Sequence, residues 1–302
     1  MAVGYLGERS AAVSDRLRRT IALLRRRGYA VAPARLAELC LGGAISESEA
    51  RWTVAADPGL AISEGLVVER DALDEVEAIR ARATSHRSDS AAFIAMTLDF
   101  IRALVTIAPF IRGVSIAGSL ASGGFRASDD VDLNLIVDDG HRHLAYVAVN
   151  ALGLAHAMRH RSKPVDDLTR RPIAPRLMTA NLILERSQCL PLVRRDEDMA
   201  FELLVAEPVF GMAALQEVID ANEPLLDHFP QLAGKRAPLL IDAPHRRAPH
   251  ALYPAFLDKP AELVGLAAWR FMQWTRRNRP HALARVAYVR ATMRPYTLFD
   301  AR

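Results

Sequence analysis

Cysteine and lysine are both scarce in this 302-residue chain. Its two cysteines, Cys40 and Cys189, lie far apart in apolar segments, which is typical of small core residues and argues against a disulfide framework. The basic residues are almost all arginine, and the lysines are Lys163, Lys235 and Lys259. A net charge of +4 would suit a polyanionic ligand, but a GC-rich genome explains the arginine bias equally well. We expect a protein of the reducing cytoplasm.

Long apolar runs and metal-binding histidine motifs are also missing. No stretch comes close to the roughly 18 to 20 apolar residues needed to span a bilayer, and the N-terminus lacks the pattern of a secretory signal. The nine histidines include no pair with the spacing of a zinc-protease helix. His156 and His160 are four residues apart, but solvent-facing histidines are the better interpretation. The sequence predicts neither a membrane span nor a zinc site.

The length and composition indicate a globular protein with room for two domains. Of the 302 residues, 51% are hydrophobic and 25% are charged, so a sizeable core is available. The first part has helical patterns over 14–27, beginning at a cap residue Ser14, and over 33–41 and 46–56, and a short strand over 65–70. Three helices followed by a strand resemble a winged-helix module.

Winged-helix modules often bind DNA through their third helix. Here that helix carries acidic residues at its start, Glu47 and Glu49, where phosphates would have to approach. Packing against protein or substrate is therefore favoured over DNA binding for this module.

The rest of the chain alternates helical and strand patterns. We expect a connecting helix over 71–88, an apolar helix from Ser90 to Ala108, a helix over 141–161, a strand over 177–185, and helices over 196–206 and 211–221. The C-terminal part has the periodicity of long helices. These elements predict an α+β fold with a small mixed sheet flanked by helices.

Two acids in an apolar segment stand out in the middle of the chain. Asp130 and Asp132 are separated by Val131, and in an extended strand residues i and i+2 point to the same side. Two neighbouring anions repel each other, and a fold tolerates this best where a cation lies between them. An exposed acidic loop is the alternative interpretation of such a pair.

A Gly-Ser turn precedes the acid pair, at Gly118 and Ser119. Strand, Gly-Ser turn, short helix and acid-apolar-acid strand follow each other as in the nucleotidyltransferase superfamily typified by DNA polymerase beta, which this segment resembles over about 20 residues. The resemblance implies that Asp130 and Asp132 bind one or two Mg²⁺ ions and act in catalysis. It also implies that Gly118, Ser119 and the N–H groups of the following helix hold the terminal phosphates of a nucleoside triphosphate.

The resemblance departs from the superfamily at a third acid. Members commonly supply another carboxylate from a later strand, and the strand that fits here carries Asn181, whose amide can ligate a metal but cannot act as a base. Glu185, Asp166 or Asp167 would be substitutes; otherwise the acceptor deprotonates without help or the site turns over slowly. A polar residue satisfied within the sheet is an equally good interpretation of Asn181.

These observations predict three regions: a winged-helix-like module with its connecting helix (1–86), a nucleotidyltransferase domain (87–206) and a helical C-terminal region (207–302). The expected function is Mg²⁺-dependent transfer of a nucleoside monophosphate, AMP from ATP, to a hydroxyl of a small molecule or protein. One alternative is an RNA-end transferase that uses a basic aromatic surface around Trp274 and Arg277. The other is a catalytically weak, nucleotide-binding regulatory protein that contacts DNA through the winged helix. Nucleic acid is not the favoured partner, and no membrane partner is expected.

Overall fold

The computed structural model describes residues 2–164, 177–292 and 294–299. The chain forms two compact units, and each unit is assembled from three segments. The first unit comprises Met1–Ser85, Arg195–Val205 and Asn222–Lys235; the second comprises His86–Arg194, Ala206–Ala221 and Arg236–Arg302.

Helices dominate the described part of the chain, and its strands form two sheets. The helices are α1 (Ala2–Arg26), α2 (Pro33–Glu38), α3 (Glu47–Ala56), α4 (Val76–Ile107), α5 (Gly118–Ser122), α6 (Arg142–Arg159), α7 (Arg186–Cys189), α8 (Glu197–Val205), α9 (Met212–Asp220), α10 (Pro224–His228), α11 (Asp258–Arg276) and α12 (Pro280–Thr292). The strands are β1 (Leu60–Ser63), β2 (Leu66–Glu69), β3 (Ile111–Ala117), β4 (Val131–Val137), β5 (Met178–Glu185) and β6 (Glu207–Phe210). The predicted α+β class is confirmed.

The first unit contains three helices and a hairpin from the N-terminal segment. Strands β1 and β2 pair antiparallel around Glu64 and Gly65, which both have positive φ angles (49° and 82°), as a two-residue hairpin loop requires. The sequence predicts one strand here, and the structure adds β1. Ser14 does not begin the first helix, because α1 starts at Ala2.

Helix α4 replaces two predicted helices. It runs without interruption from Val76 to Ile107, so Ser90 lies inside the helix instead of capping a new one. An 18-residue window within Arg70–Ile107 has a mean hydropathy of 1.7, which makes this helix long and apolar enough to cross a membrane. The prediction that no stretch reaches this limit is therefore wrong. Core helices of globular proteins, which are mostly buried, pass the same test; 28% of this window is buried, and α4 places Phe100 and Leu104 in the core of the second unit.

The second unit is built on a four-stranded mixed sheet with the order β5-β4-β3-β6. Strand β3 is antiparallel to both neighbours, whereas β4 and β5 are parallel and are connected through α6. Strand β6 means that the segment 207–302, predicted as helical, begins with a strand of the central sheet. The other regular elements in the described residues of this segment are helices.

The two faces of this sheet differ in character. Leu133, Leu135 and Val137 of β4 belong to the hydrophobic core together with side chains of α4 and α6. The alternate positions of β4, Asp132, Asn134 and Ile136, point to the other face because successive side chains of a strand alternate. The sheet therefore has one apolar, helix-covered face and one face that carries polar side chains beside its Asp132 end.

Candidate functional site

The turn between β3 and α5 lies against the Asp132 side chain. Strand β3 ends at Ala117, which pairs with Asp132 of β4, and α5 begins at once with Gly118. Gly118 has a φ of 60°, and a Cβ atom at this position would lie 2.1 Å from Asp132 Oδ2. A side chain at position 118 and the observed Asp132 carboxylate cannot occupy the site together. The predicted Gly-Ser turn and the predicted acid are thus in direct contact.

The two predicted acids lie at the beginning of β4. Asp130 immediately precedes the strand and Asp132 is its second residue, while Val131 between them is fully buried. The Val131 N–H donates to Leu177 O over 2.8 Å, which fixes this end of the strand against the start of β5. Asp132 points away from the core because strand side chains alternate, and Asp130 contacts Thr179, the ladder partner of Asp132; both acids are half-buried.

Strand β5 supplies a third contact to the acid pair. Thr179 is paired with Asp132 in the parallel ladder, and its hydroxyl donates a hydrogen bond to Asp130 Oδ2. Thr179 is not predicted from the sequence as a site residue. The alternation of the 177–185 strand was the available signal, because it puts Thr179 on the same side as Asn181, two residues away.

The loop before β4 is held by its own polar groups. Arg126 N donates to Asp129 Oδ2 over 3.1 Å, and the buried Lys163 ammonium donates to Ser128 O over 3.0 Å. Ser119 lies in the first turn of α5, and its carbonyl accepts hydrogen bonds from Gly123 N and Gly124 N. The hydrogen bonds of Asp129 and Ser128 hold the backbone just before Asp130 in place.

Asn181 lies on the same face of the sheet but makes an amide pair. Its Nδ2 atom donates to Asn134 Oδ1 over 3.0 Å, and Asn134 is only 8% exposed. The β4–β5 register shifts between Leu133 and Asn134, so Asn181 is the extra residue of a bulge. This bulge turns Asn181 toward Asn134, two residues beyond Asp132 along β4.

Glu185 cannot replace the third carboxylate. It pairs with Val137 at the opposite end of β4, and its Oε1 atom accepts a hydrogen bond from Gly140 N over 2.7 Å. It lies six positions after Thr179, which corresponds to about 20 Å along a strand. The prediction of Glu185 as a substitute is therefore wrong, whereas Asp166 and Asp167 lie outside the described residues.

His156 and His160 stack on each other at the end of α6, with ring centroids 6.0 Å apart. His156 is half-buried and packs edge-on against Phe100, with ring centroids 5.5 Å apart, and burial together with His160 lowers its pKa. The prediction of solvent-facing histidines is therefore confirmed for His160, which is exposed, but not for His156. Within the described residues, no group of three or more histidine, cysteine, aspartate or glutamate side chains is arranged to hold a metal ion.

The donor set at the acid pair nevertheless fits a hard cation. Mg²⁺ is commonly bound through one or two carboxylates, with waters and substrate phosphates completing an octahedron. Asp130 and Asp132 supply two carboxylates on one face.

Comparison of the chain with family models, curated proteins and solved structures gives no match.

Proposed function

We propose that this protein is a Mg²⁺-dependent nucleotidyltransferase that transfers a nucleoside monophosphate, AMP from ATP, to a hydroxyl group. The contact between Gly118 and Asp132 carries the proposal, because it joins a glycine turn suited to phosphate with a carboxylate suited to Mg²⁺. An exposed acidic loop would not require a glycine at this distance from a strand carboxylate.

We further propose that the second unit has the nucleotidyltransferase fold and that the N-terminal segment is a winged-helix module. The order β3, glycine turn, α5 and acid-bearing β4 supports the first assignment. For the second, Val31 pairs with Val67 of the β1–β2 hairpin, so the chain between α1 and α2 adds a third strand position to the hairpin. A short helical module with such a hairpin is the arrangement expected of a winged helix.

Each residue of the site has a distinct part in the proposed reaction. Asp130 and Asp132 would hold Mg²⁺, which when bound neutralises charge on the phosphates. Thr179 orients Asp130 through its hydroxyl, and Gly118 lets the chain approach a phosphate closely while Ser119 offers a hydroxyl. The protein thereby positions the triphosphate for in-line attack by the acceptor hydroxyl.

The acceptor is more consistent with a small molecule or protein than with RNA held at Trp274. Trp274 belongs to α11, which packs on α6, and α6 covers the apolar face of the sheet. The carboxylates project from the other face. RNA bound along α11 would therefore lie across the sheet from the acid pair.

A nucleotide-binding protein with little turnover is the second candidate function. The Asn134–Asn181 amide pair supports it, because these two side chains lie beside the acids where a base would be useful and neither can accept a proton at neutral pH. Mg²⁺-dependent binding without transfer is the result that would distinguish this candidate from the enzyme.

The proposal is tested with isosteric changes at the acid pair. We expect Asp130→Asn and Asp132→Asn each to weaken Mg²⁺-dependent ATP binding at least about tenfold, because each removes one of the two negative charges that attract the cation. The measurements are calorimetric titration with ATP and Mg²⁺, and transfer of label from α-phosphate-labelled ATP to acceptors in a metabolite and protein extract.

Asp139→Asn is the matched control. Asp139 follows the opposite end of the same strand, where its Oδ1 atom accepts a hydrogen bond from Ser187 N, and an asparagine can keep that bond. Unchanged ATP affinity in Asp130→Asn and Asp132→Asn, or an equal loss in Asp139→Asn, would overturn the assignment of the site.

A further inference from the structure

Helix α11 is apolar on two opposite faces. One face packs inward: Ala261 and Gly265 are buried, and a Cβ on Gly265 would lie 2.7 Å from Phe299 and 3.1 Å from Tyr146. This close approach fixes which side of α11 is covered by the second unit. Residues half a turn away on the helix must therefore face outward.

The outward face carries a continuous apolar stripe. Leu263 is 70% exposed, Val264 58%, and Phe271 and Trp274 56% each, with the exposed Ala267 between them. Spacings of three and four residues align these side chains along about 16 Å of helix. Phe271 and Trp274 stack with their ring centroids 5.9 Å apart, so the stripe ends in a preformed aromatic pair.

The two edges of this stripe differ in charge. Lys259, Arg270 and Arg277 are exposed and recur after three and two helical turns, which places them along one edge. The Arg277 guanidinium lies 4.2 Å from the centroid of the Trp274 ring. The other edge contains Ala268 and Thr275, which are small and neutral. Glu262 lies between the basic edge and the packed face.

We propose that the outward face of α11 binds an amphipathic helix of another protein, with an apolar stripe that covers Leu263 to Trp274 and acidic residues along one edge. The acidic residues pair with Lys259, Arg270 and Arg277, and the small residues of the opposite edge let the partner backbone approach closely. Aromatic and arginine side chains of this kind are the usual anchors of protein interfaces.

The charge on the edges of the stripe favours an acidic helix over two other possible partners, a second copy of α11 and a lipid bilayer. In an antiparallel two-fold pair of α11 helices the basic edge would face its own copy, and in a parallel pair it would face the neutral edge. A bilayer presents phosphates along both edges of a helix lying in its surface, whereas only one edge of α11 is basic. An acidic helix matches the apolar stripe and the one-sided charge together.

Two helical peptides of about 16 residues provide the probe, stapled to hold the helix. Both carry the same leucine stripe; one has glutamates along one edge and the other has lysines at the same positions. By fluorescence anisotropy we expect the full-length chain to bind the glutamate peptide at least about tenfold more tightly than the lysine peptide. Phe271→Ala/Trp274→Ala should weaken binding about tenfold or more, because both anchors are removed.

Two further variants keep the test specific. Lys259→Glu/Arg270→Glu should reverse the preference toward the lysine peptide, and Trp52→Ala, which removes a 61% exposed tryptophan of the first unit, should leave binding unchanged. Equal affinity for both peptides would overturn the proposal. The proposal would also be overturned if the wild-type chain dimerised, or bound phosphatidylcholine–phosphatidylglycerol vesicles, and Phe271→Ala/Trp274→Ala abolished that association.

Discussion

Gly118 and Asp132 compete for the same space, since a Cβ on the glycine would lie 2.1 Å from the aspartate Oδ2 atom and 2.9 Å from its Cγ atom. Both residues are fixed by the sheet: Asp132 is paired with Ala117 across β3 and β4, and Gly118 directly follows Ala117. The backbones at positions 117 and 132 are held by this pairing, so a side chain at position 118 would have to displace the Asp132 side chain. The position of the Asp132 carboxylate therefore depends on the absence of a side chain at position 118.

We expect Gly118→Ala to displace the Asp132 carboxylate and to weaken Mg²⁺-dependent ATP binding at least about tenfold. It should also cost about 1 to 2 kcal/mol of unfolding free energy, because the φ of 60° is unfavourable for alanine. Calorimetric titration and chemical denaturation measure the two effects separately.

Gly123→Ala is the control for backbone strain. Gly123 also has a positive φ, 94°, but a Cβ there would meet no atom within 4 Å. This variant should lose stability and keep its ATP affinity. Equal loss of affinity in both variants would show that strain in α5, and not contact with Asp132, determines binding.

The residues of the site divide by how local their signals are. Asp130 and Asp132 could be placed on one face from strand alternation, which is a property of neighbouring residues, and Gly118 was added by the resemblance of this segment to the nucleotidyltransferase superfamily. Thr179 and the Asn134–Asn181 pair could not, because they depend on the register of two parallel strands connected through α6. The bulge at Asn181 changes which side chains meet, and periodicity alone does not reveal it.

At the level of elements, the long periodic helices and strands β3, β4 and β5 could be predicted from the sequence. The wrong predictions arise where one local pattern is compatible with two structures. Ser90 is a good helix cap, yet it lies within α4 because apolar residues on both sides continue the helix. Strand β1 is only four residues long and follows Asp-Pro-Gly, so it resembles a loop until it pairs with β2. Strand β6 is also four residues long, and only its pairing with β3 makes it recognisable as a strand.

Asp57 connects two elements of the first unit. It follows the end of α3, and its side chain, 3% exposed, accepts hydrogen bonds from Ser14 and from both Nε and Nη2 of Arg18 on α1. Its Oδ1 atom also accepts from Gly59 N over 2.9 Å. The hydrogen bonds from Arg18 are the main reason that the pKa of Asp57 lies well below its ordinary value.

We expect Asp57→Asn to lower the unfolding free energy by about 1 to 3 kcal/mol at neutral pH, because a buried charged acceptor is lost. A lowered pKa in the folded state means that the carboxylate stabilises the protein above the unfolded pKa of about 3.9 and loses this effect as the pH falls below it. The stability difference between wild type and Asp57→Asn should therefore shrink below about pH 4 in denaturant unfolding experiments.

Asp71→Asn is the comparison for an exposed ion pair. Asp71 is 73% exposed and pairs with Arg25, so its loss should change stability by about 0.5 kcal/mol or less. A stability difference for Asp57→Asn that stays constant from pH 6 to pH 3 would contradict the assigned role of its charge.

At the level of the whole molecule, the chain crosses between its two units several times. The core of the first unit is completed by residues that follow its N-terminal segment by more than a hundred positions. The Arg27 guanidinium lies 5.0 Å from the Phe201 ring centroid, and Phe201 packs against Phe229 with ring centroids 5.6 Å apart. Gln231 donates hydrogen bonds to Glu38 O and Cys40 O of the same unit. Contacts over such sequence separations leave no local pattern, so a continuous N-terminal module was the natural expectation from sequence.

Phe201 and Phe210 provide a direct test of this assembly. Both are buried, at 1% and 7% exposure, and only nine positions apart, yet Phe201 belongs to the first unit and Phe210 to the sheet of the second. Each change to alanine should cost about 3 to 5 kcal/mol in its own unit. In hydrogen exchange of the full-length chain, Phe201→Ala should therefore accelerate exchange in α2, α3 and the β1–β2 hairpin, and Phe210→Ala should accelerate it in β3 and β4. If Phe201→Ala instead left α2, α3 and the hairpin protected while opening β3 and β4, the later segment would not be part of the first unit's core.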